Sequence, residues 1–341
     1  IVPIAGAIGG MVVPALIFTM IVSGNPGASG WGIPLATDIA FALGVLAVVG
    51  KRVPFSLRVM LLALAIVDDI GGIIVIAVFY TSELSFLPLG IAIGMLGLAF
   101  VFRQAGVWYL PIYIAIGVVA WAATVDSGIH PTIVGVLLGV LAPWKAWYRE
   151  EGFATLARHE VARFEDAARS TDEGIAHDQK AHALRQLQFL TNHAIAPLDR
   201  LAHELQPLVA FVIVPVFAFA NAGVSIDPDT LGAALSAPVT LGVFFGLLLG
   251  KPLGIFAGIW LAVRAGATLP TGVNWLGVLG IGVLGGIGFT VSLLITELSF
   301  TEASLIVDAK LGIIFASALA GLIGFFILRL VYPPMPSEAD D

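Results

Sequence analysis

The 341-residue chain is 59% hydrophobic and only 11% charged, with a mean hydropathy of +1.01 and a formal net charge of −7. Soluble domains carry about 25% charged residues, so this composition excludes an ordinary soluble enzyme or binding module and describes a polytopic membrane protein. There is no cysteine, which removes disulfide frameworks and thiolate metal or redox centres.

Backbone polar groups inside a bilayer must be paired within the protein, and the apolar runs here are too long for alternating barrel strands, so the fold class is all-α. Ten apolar runs are expected to span: 2–22, 32–49, 56–80, 86–102, 107–123, 129–142, 208–222, 239–263, 274–296 and 305–330. The opening Ile1-Val2-Pro3-Ile4 has neither Met nor a basic flank, so it does not match a signal peptide and is expected to follow a missing beginning. The sixteen Lys and Arg test the count. Lys51, Arg52 and Arg58 rim the second connector, Arg103 lies in the fourth, eight fall between Lys145 and Arg200 in the sixth, and Arg264 lies in the eighth; the odd-numbered connectors have none. Arg329 closes the last helix, and Lys251 and Lys310 fall inside runs. This alternation predicts ten helices with both ends cytoplasmic.

In the second run, Trp31-Gly32-Ile33-Pro34-Leu35-Ala36-Thr37-Asp38 reads as an interrupted helix with a carboxylate at the break. The third carries Asp68 and Asp69 side by side, with Asp68 the thirteenth of the twenty-five residues Ser56–Tyr80, at the centre of a hydrocarbon layer about 30 Å thick. A membrane-centre Asp costs about 2.5–3.5 kcal/mol, so two need a compensating reason; the bland alternative is a turn between two short buried segments. His130 opens the sixth run, as a titrating gate or simply a helix-start residue. The segment 143–207 changes composition, holding eight basic residues, ten acidic residues and five of the six histidines. From Leu184 it reads as an amphipathic helix that Pro197 kinks or splits. A solvated linker at the membrane surface is favoured over a pH sensor, and its histidines lack metal-ligand spacing.

Lys251 is the thirteenth residue of the run Val239–Val263, the same depth as Asp68. A lone buried ammonium is as costly as a lone carboxylate, so the two are expected to meet, either as a structural ion pair or on an ion pathway. Gly250, Pro252 and Gly254 around it let another helix approach closely. The ninth run contains Gly286-Ile287-Gly288-Phe289-Thr290 and Ser292, poor in helix formers and a second candidate interruption; ordinary glycine packing is the alternative. Asp38 would offset the positive ends of such half-helices and Lys251 the negative ends. Asp308 and Lys310 read as structural. Runs one to three and eight to ten share an order, with the interrupted segment in the middle of each triplet. The second triplet starts on the opposite face, which gives an inverted repeat of three-helix units with interrupted helices crossing at mid-membrane.

At these residues the chain closely resembles the bacterial NhaA-type Na+/H+ antiporters. The matching motifs are Gly9-Gly10-Met-Val-Val-Pro14, Ala36-Thr37-Asp38-Ile-Ala-Phe41, Leu62-Ala-Leu-Ala-Ile-Val-Asp68-Asp69, Phe217-Ala-Phe-Ala-Asn221, Gly250-Lys251-Pro-Leu-Gly254 and Gly286-Ile-Gly-Phe-Thr290, in order along nearly the whole chain outside the insert. Inverted repeats with interrupted helices are described for this same family, so that reading is not independent of the resemblance.

The resemblance implies an electrogenic, pH-regulated exchanger of Na+ or Li+ for H+ in the bacterial inner membrane. Asp69 and Asp68 would bind cation or proton competitively, with Lys251 paired to Asp68. Thr37, Asp38, Gly286, Gly288 and Thr290 would support the interrupted helices, and His130 would match a histidine linked to pH response. Desolvation favours the neutral form of a carboxyl, which makes protons and cations compete, and a hard cation needs the oxygen ligands that acids, hydroxyls and freed carbonyls supply. The implied partners are Na+, Li+, H+ and the lipid bilayer, with no cofactor, no nucleic acid and no enzymatic activity. The family has two earlier helices with a hairpin used in dimer contacts; their absence weakens the expectation of a homodimer. Segment by segment, the expected domains are 1–142 with the first repeat at 1–80, the cytoplasmic insert 143–207, 208–332 with the second repeat at 239–330, and a tail at 333–341. Two other classes compete. An intramembrane aspartyl protease would need facing acids and a Gly-x-Gly-Asp signature that is absent; a cation channel would conduct independently of a proton gradient.

Overall fold

The computed structural model describes the chain outside residues 51, 81–83, 108, 143–147, 149, 170–172, 224–227 and 334–341, and outside the side chains at 150, 173, 175, 176, 192, 197 and 228–231. Every regular element among the described residues is helical. Two compact units emerge, one made of Ile1–Thr81 with Val212–Asp341, the other of Ser82–Phe211.

The first unit opens with α1 (Val2–Val22), a 3-10 helix (Ala28–Leu35), α2 (Ile39–Val49) and α3 (Phe55–Phe79). It resumes with α10 (Val214–Asn221), α11 (Pro228–Ser236), α12 (Pro238–Phe245), α13 (Lys251–Arg264), α14 (Trp275–Gly285), α15 (Phe289–Ser299) and α16 (Ala303–Val331). The second unit holds α4 (Phe86–Gln104), α5 (Leu110–Asp126), α6 (Thr132–Leu141), α7 (Glu150–Arg169), α8 (Glu173–Ala194) and α9 (Pro197–Leu208).

Among the described residues, seven helical stretches are long and apolar enough to cross a bilayer: Val2–Val22, Ala28–Val49, Phe55–Phe79, Phe86–Gln104, Leu198–Asn221, Pro238–Arg264 and Ala303–Val331. The pair α14 and α15, bent by 44° at a short break, makes an eighth. The expected fifth and sixth runs coincide with the shorter apolar helices Leu110–Asp126 and Thr132–Leu141. The architecture is that of an all-α, multi-pass membrane protein.

Within the first unit, α1 and α13 pack backbone to backbone. A Cβ built at Gly254 would strike the Gly9 carbonyl, one at Gly258 the Ala5 carbonyl, and one at Gly250 would lie 2.9 Å from the Pro14 Cα. The helix that the small residues around Lys251 admit is therefore α1, as small interfacial residues allow in membrane bundles. Just before Lys251 the helix widens into a π turn over Gly246–Gly250. Pro252, which cannot donate a backbone hydrogen bond, follows directly.

In the second unit, α8 ends at Ala194 and Pro197 is the first residue of α9, so the amphipathic stretch splits there. The change of composition at Pro207 does not coincide with a helix end. Pro207 lies inside α9, and a π turn over Val209–Ile213 leads into α10. Proline lacks the N–H that closes a normal turn, and a locally wider turn absorbs the defect.

Candidate functional site

The two interruptions foreseen in the second and ninth runs are present, and they meet. The first lies between the 3-10 helix and α2, where Ala36 and Asp38 are extended (φ −75°, ψ 148° and φ −87°, ψ 97°). The second is the bend at Gly286–Gly288 between α14 and α15. Each break leaves backbone groups without intrahelical partners, and the other break supplies them. The Asp38 N–H donates to the Ile287 carbonyl (2.6 Å) and the Thr37 hydroxyl to the Gly285 carbonyl (2.9 Å). The Ser292 hydroxyl donates to the Ile33 carbonyl (2.8 Å), and Ser317 of α16 accepts the Phe289 N–H (3.3 Å).

Asp38, 2% exposed, ties the crossing together. Its Oδ1 accepts from the Phe41 N–H of its own helix start (3.2 Å). Its Oδ2 accepts from both the N–H (2.9 Å) and the hydroxyl (2.5 Å) of Thr290 at the start of α15. One carboxylate thus caps two helix N-termini, where donors are free and the helix dipole is positive. The carbonyls at the opposite ends accept from the Thr37 and Ser292 hydroxyls and from the Asp38 amide. Gly286 and Gly288 leave no room for a side chain: a Cβ at Gly288 would meet Ser292 Oγ and, at 3.2 Å, the Ala36 carbonyl.

The second group of charges is centred on α3. Asp68 is 1% exposed and Lys251 fully buried; the Lys251 ammonium donates to Asp68 Oδ2, so the two groups of equal depth do pair. Asp68 Oδ1 and the buried Oδ1 of the half-buried Asp69 have no hydrogen-bond partner among the described residues. Neighbours on a helix diverge by about 100°, so Asp68 and Asp69 do not face the same way. Thr37 lies beside Asp68 and links this group to the crossing. The oxygen-only donors suit a hard cation, and the described residues contain no cluster of three His, Cys, Asp or Glu side chains.

His130 belongs to the second unit, where its Nδ1 lies 2.9 Å from the Thr132 hydroxyl at the start of α6. Lys310 pairs with Glu297 across α15 and α16 at 2.9 Å, and the Asp308 carbonyl accepts the Thr240 hydroxyl (2.9 Å). Ser317 went unnoticed in the sequence. Its only signal is a hydroxyl among the small apolar residues Ala316, Ala318 and Ala320.

Long apolar helices, a charged pair buried among them and two interrupted helices crossing beside it define a multi-pass membrane protein with an internal ionic site. The profile of the family described as Na+/H+ antiporter 1 matches residues 1–328. The chain is 46% identical over 338 residues to the Na+/H+ antiporter NhaA 2 of Sorangium cellulosum, covering 98% of this chain and 71% of that protein. It is 44% identical over 330 residues to the Na+/H+ antiporter NhaA of Oleidesulfovibrio alaskensis, covering 96% and 73%. The NhaA of Koribacter versatilis gives 44% over 328 residues, covering 96% and 70%. The chain belongs to the NhaA family of Na+/H+ antiporters.

Proposed function

We propose that this chain exchanges Na+, and Li+ in its place, for H+ across the bacterial inner membrane, and that it acts as a transporter rather than an enzyme. The observation that carries the reading is the pair of buried Oδ1 atoms on Asp68 and Asp69, beside the Lys251 ammonium, that have no hydrogen-bond partner among the described residues. An unsatisfied buried acceptor is costly unless something else completes it, and here a proton or a small hard cation does so. Asp69, free of the lysine, takes the ion. Asp68 joins as second ligand while Lys251 holds its other oxygen.

A carboxylate occupied by Na+ cannot also hold a proton, so loading from one side displaces protons and unloading on the other readmits them. Competition at one site, exposed to one side at a time, is sufficient for obligatory exchange. Electrogenic exchange, which we assign to this chain, requires that a second group of the site, Asp68 or Lys251, release a proton together with Asp69. Thr37, Asp38, Gly286, Gly288 and Thr290 hold the crossing against which the site is built.

We assign the chain ten transmembrane helices, counting the broken pair as one and α5 and α6 as spans. Residues 1–80 and 239–330 form inverted repeats, both ends lie in the cytoplasm, 143–207 is a cytoplasmic insert, and His130 contributes to pH response. A homodimer belongs to the family picture and is assigned no interface in this chain. A protease reading asks for two carboxylates sharing a proton across a gap, whereas Asp68 is engaged by an ammonium.

The test is Asp69→Asn in everted membrane vesicles. The wild-type chain is expected to collapse a preformed pH gradient when Na+ is added, and the variant to lose this response entirely; exchange at the wild-type rate in the variant overturns the assignment.

A further inference from the structure

Beside the crossing, and separate from the acids, the first unit holds an apolar crevice of about 450 Å³ between α2 and α16. Phe41, Val45 and Val48 form one wall and Ser317, Gly321 and Phe325 the other. The two helices run the same way along it. Phe41 stacks edge-on against Phe289 with ring centroids 5.0 Å apart, and the Phe289 N–H is held by Ser317, which places Phe41 beside Ser317. One turn on, a Cβ at Gly321 would lie 3.8 Å from Val45. The crevice is therefore closed at its inner end by the Phe41–Phe289 pair at the helix breaks, and it reaches its outer end at Val48 and Phe325.

Three observations select an occupant. From Ser317, beside the closing pair, to Phe325 the crevice runs eight helical steps, about 12 Å. That fits within one leaflet, half of a hydrocarbon layer of roughly 30 Å. The lining is apolar apart from Ser317, whose hydroxyl is already engaged. At the outer end stands a cation: the Arg329 guanidinium lies over the Phe325 ring at 5.8 Å, is exposed, and makes no ion pair among the described residues. The same end of α2 is basic, since Arg58 donates to the Gly50 carbonyl (2.5 Å) just past the helix, and Arg52 follows.

We propose that this crevice binds one anionic glycerophospholipid of the leaflet on the Arg52, Arg58 and Arg329 side, with an acyl chain along α2 and α16 and the phosphate at Arg329. A neutral lipid would fill the crevice equally well but would gain nothing from the guanidinium. A basic residue at an anionic surface favours binding by about fivefold. The inner end of the chain abuts Phe289, adjacent to the Thr290 that caps onto Asp38, so the lipid braces the crossing from its outer side. Lipid occupancy is independent of transport, and it is read without it.

The test uses the full chain purified in mild detergent, with native mass spectrometry of complexes formed in equal mixtures of phosphatidylglycerol and phosphatidylcholine. The wild type is expected to retain one phosphatidylglycerol in preference. Arg329→Gln should lower that preference by about fivefold while lipid is still retained. Gly321→Phe, which fills the middle of the groove, should abolish retention of both lipids, with the helical circular dichroism of each variant checked against the wild type. Equal retention of the two lipids by the wild type, an unchanged preference in Arg329→Gln, or unchanged retention in a folded Gly321→Phe would each overturn the proposal.

Discussion

Two groups of buried acids in the same unit are treated in opposite ways. At the crossing, both oxygens of Asp38 are occupied, by the Phe41 N–H on one side and by Thr290 twice on the other. On α3, Asp68 has one oxygen with Lys251 and one with no partner among the described residues, and Asp69 likewise keeps a buried oxygen without one. A buried carboxylate with a full set of donors fixes structure, because every alternative arrangement loses charge-assisted hydrogen bonds. One with an open acceptor stays poised to take a ligand. Under the proposed function, this difference separates the acid that holds the crossing from the acids that bind the ion.

This contrast can be broken experimentally, and the largest effect is expected at the ion pair. Lys251→Met strands the Asp68 carboxylate and should cost about 3–5 kcal/mol in detergent unfolding experiments near neutral pH. Adding Asp68→Asn to it should recover most of that loss, since no uncompensated charge then remains; a double variant as unstable as the single would argue that the lysine acts by packing alone. Next comes Asp38→Ala, which leaves two helix N-termini uncapped and is expected to cost about 2–3 kcal/mol in the same measurement. Thr290→Val removes the hydroxyl donor and keeps the backbone one, so about 1–2 kcal/mol should be lost, with the Na+ dependence of exchange in vesicles nearly intact.

The smallest effect is expected at His130, whose Nδ1 lies 2.9 Å from the Thr132 hydroxyl at the start of α6. His130→Leu removes that contact and should cost about 0.5–1 kcal/mol in thermal unfolding.

Much of this was legible in the residues. Asp68 and Lys251 announce each other because each is the thirteenth residue of a twenty-five-residue apolar run, and depth is a coordinate that a bilayer makes readable from sequence. The interruptions were visible in Pro34 and in the glycines around Ile287, where helix propensity fails. Their partners were not. That the Gly285 carbonyl receives the Thr37 hydroxyl, or that Asp38 reaches Thr290, depends on how two chains cross, and no local pattern encodes a contact 248 or 252 residues away. The π turn at Gly246–Gly250 was equally hidden, since its five residues read as an ordinary helix. The helix running past Pro207 escaped notice because composition changes there while the backbone continues.

The glycine seam between α1 and α13 has a mechanical consequence. Like a rack whose teeth admit only one setting, Gly254 and Gly258 sit where the Gly9 and Ala5 carbonyls press in, and a screw shift of one residue would bring Leu253 or Ile255 onto the Gly9 carbonyl and Ala257 or Ile259 onto that of Ala5. The two helices are locked in register, so the helix carrying Lys251 cannot slide past its neighbour. Whatever displacement carries an ion from one face to the other must move α1 and α13 as a single beam.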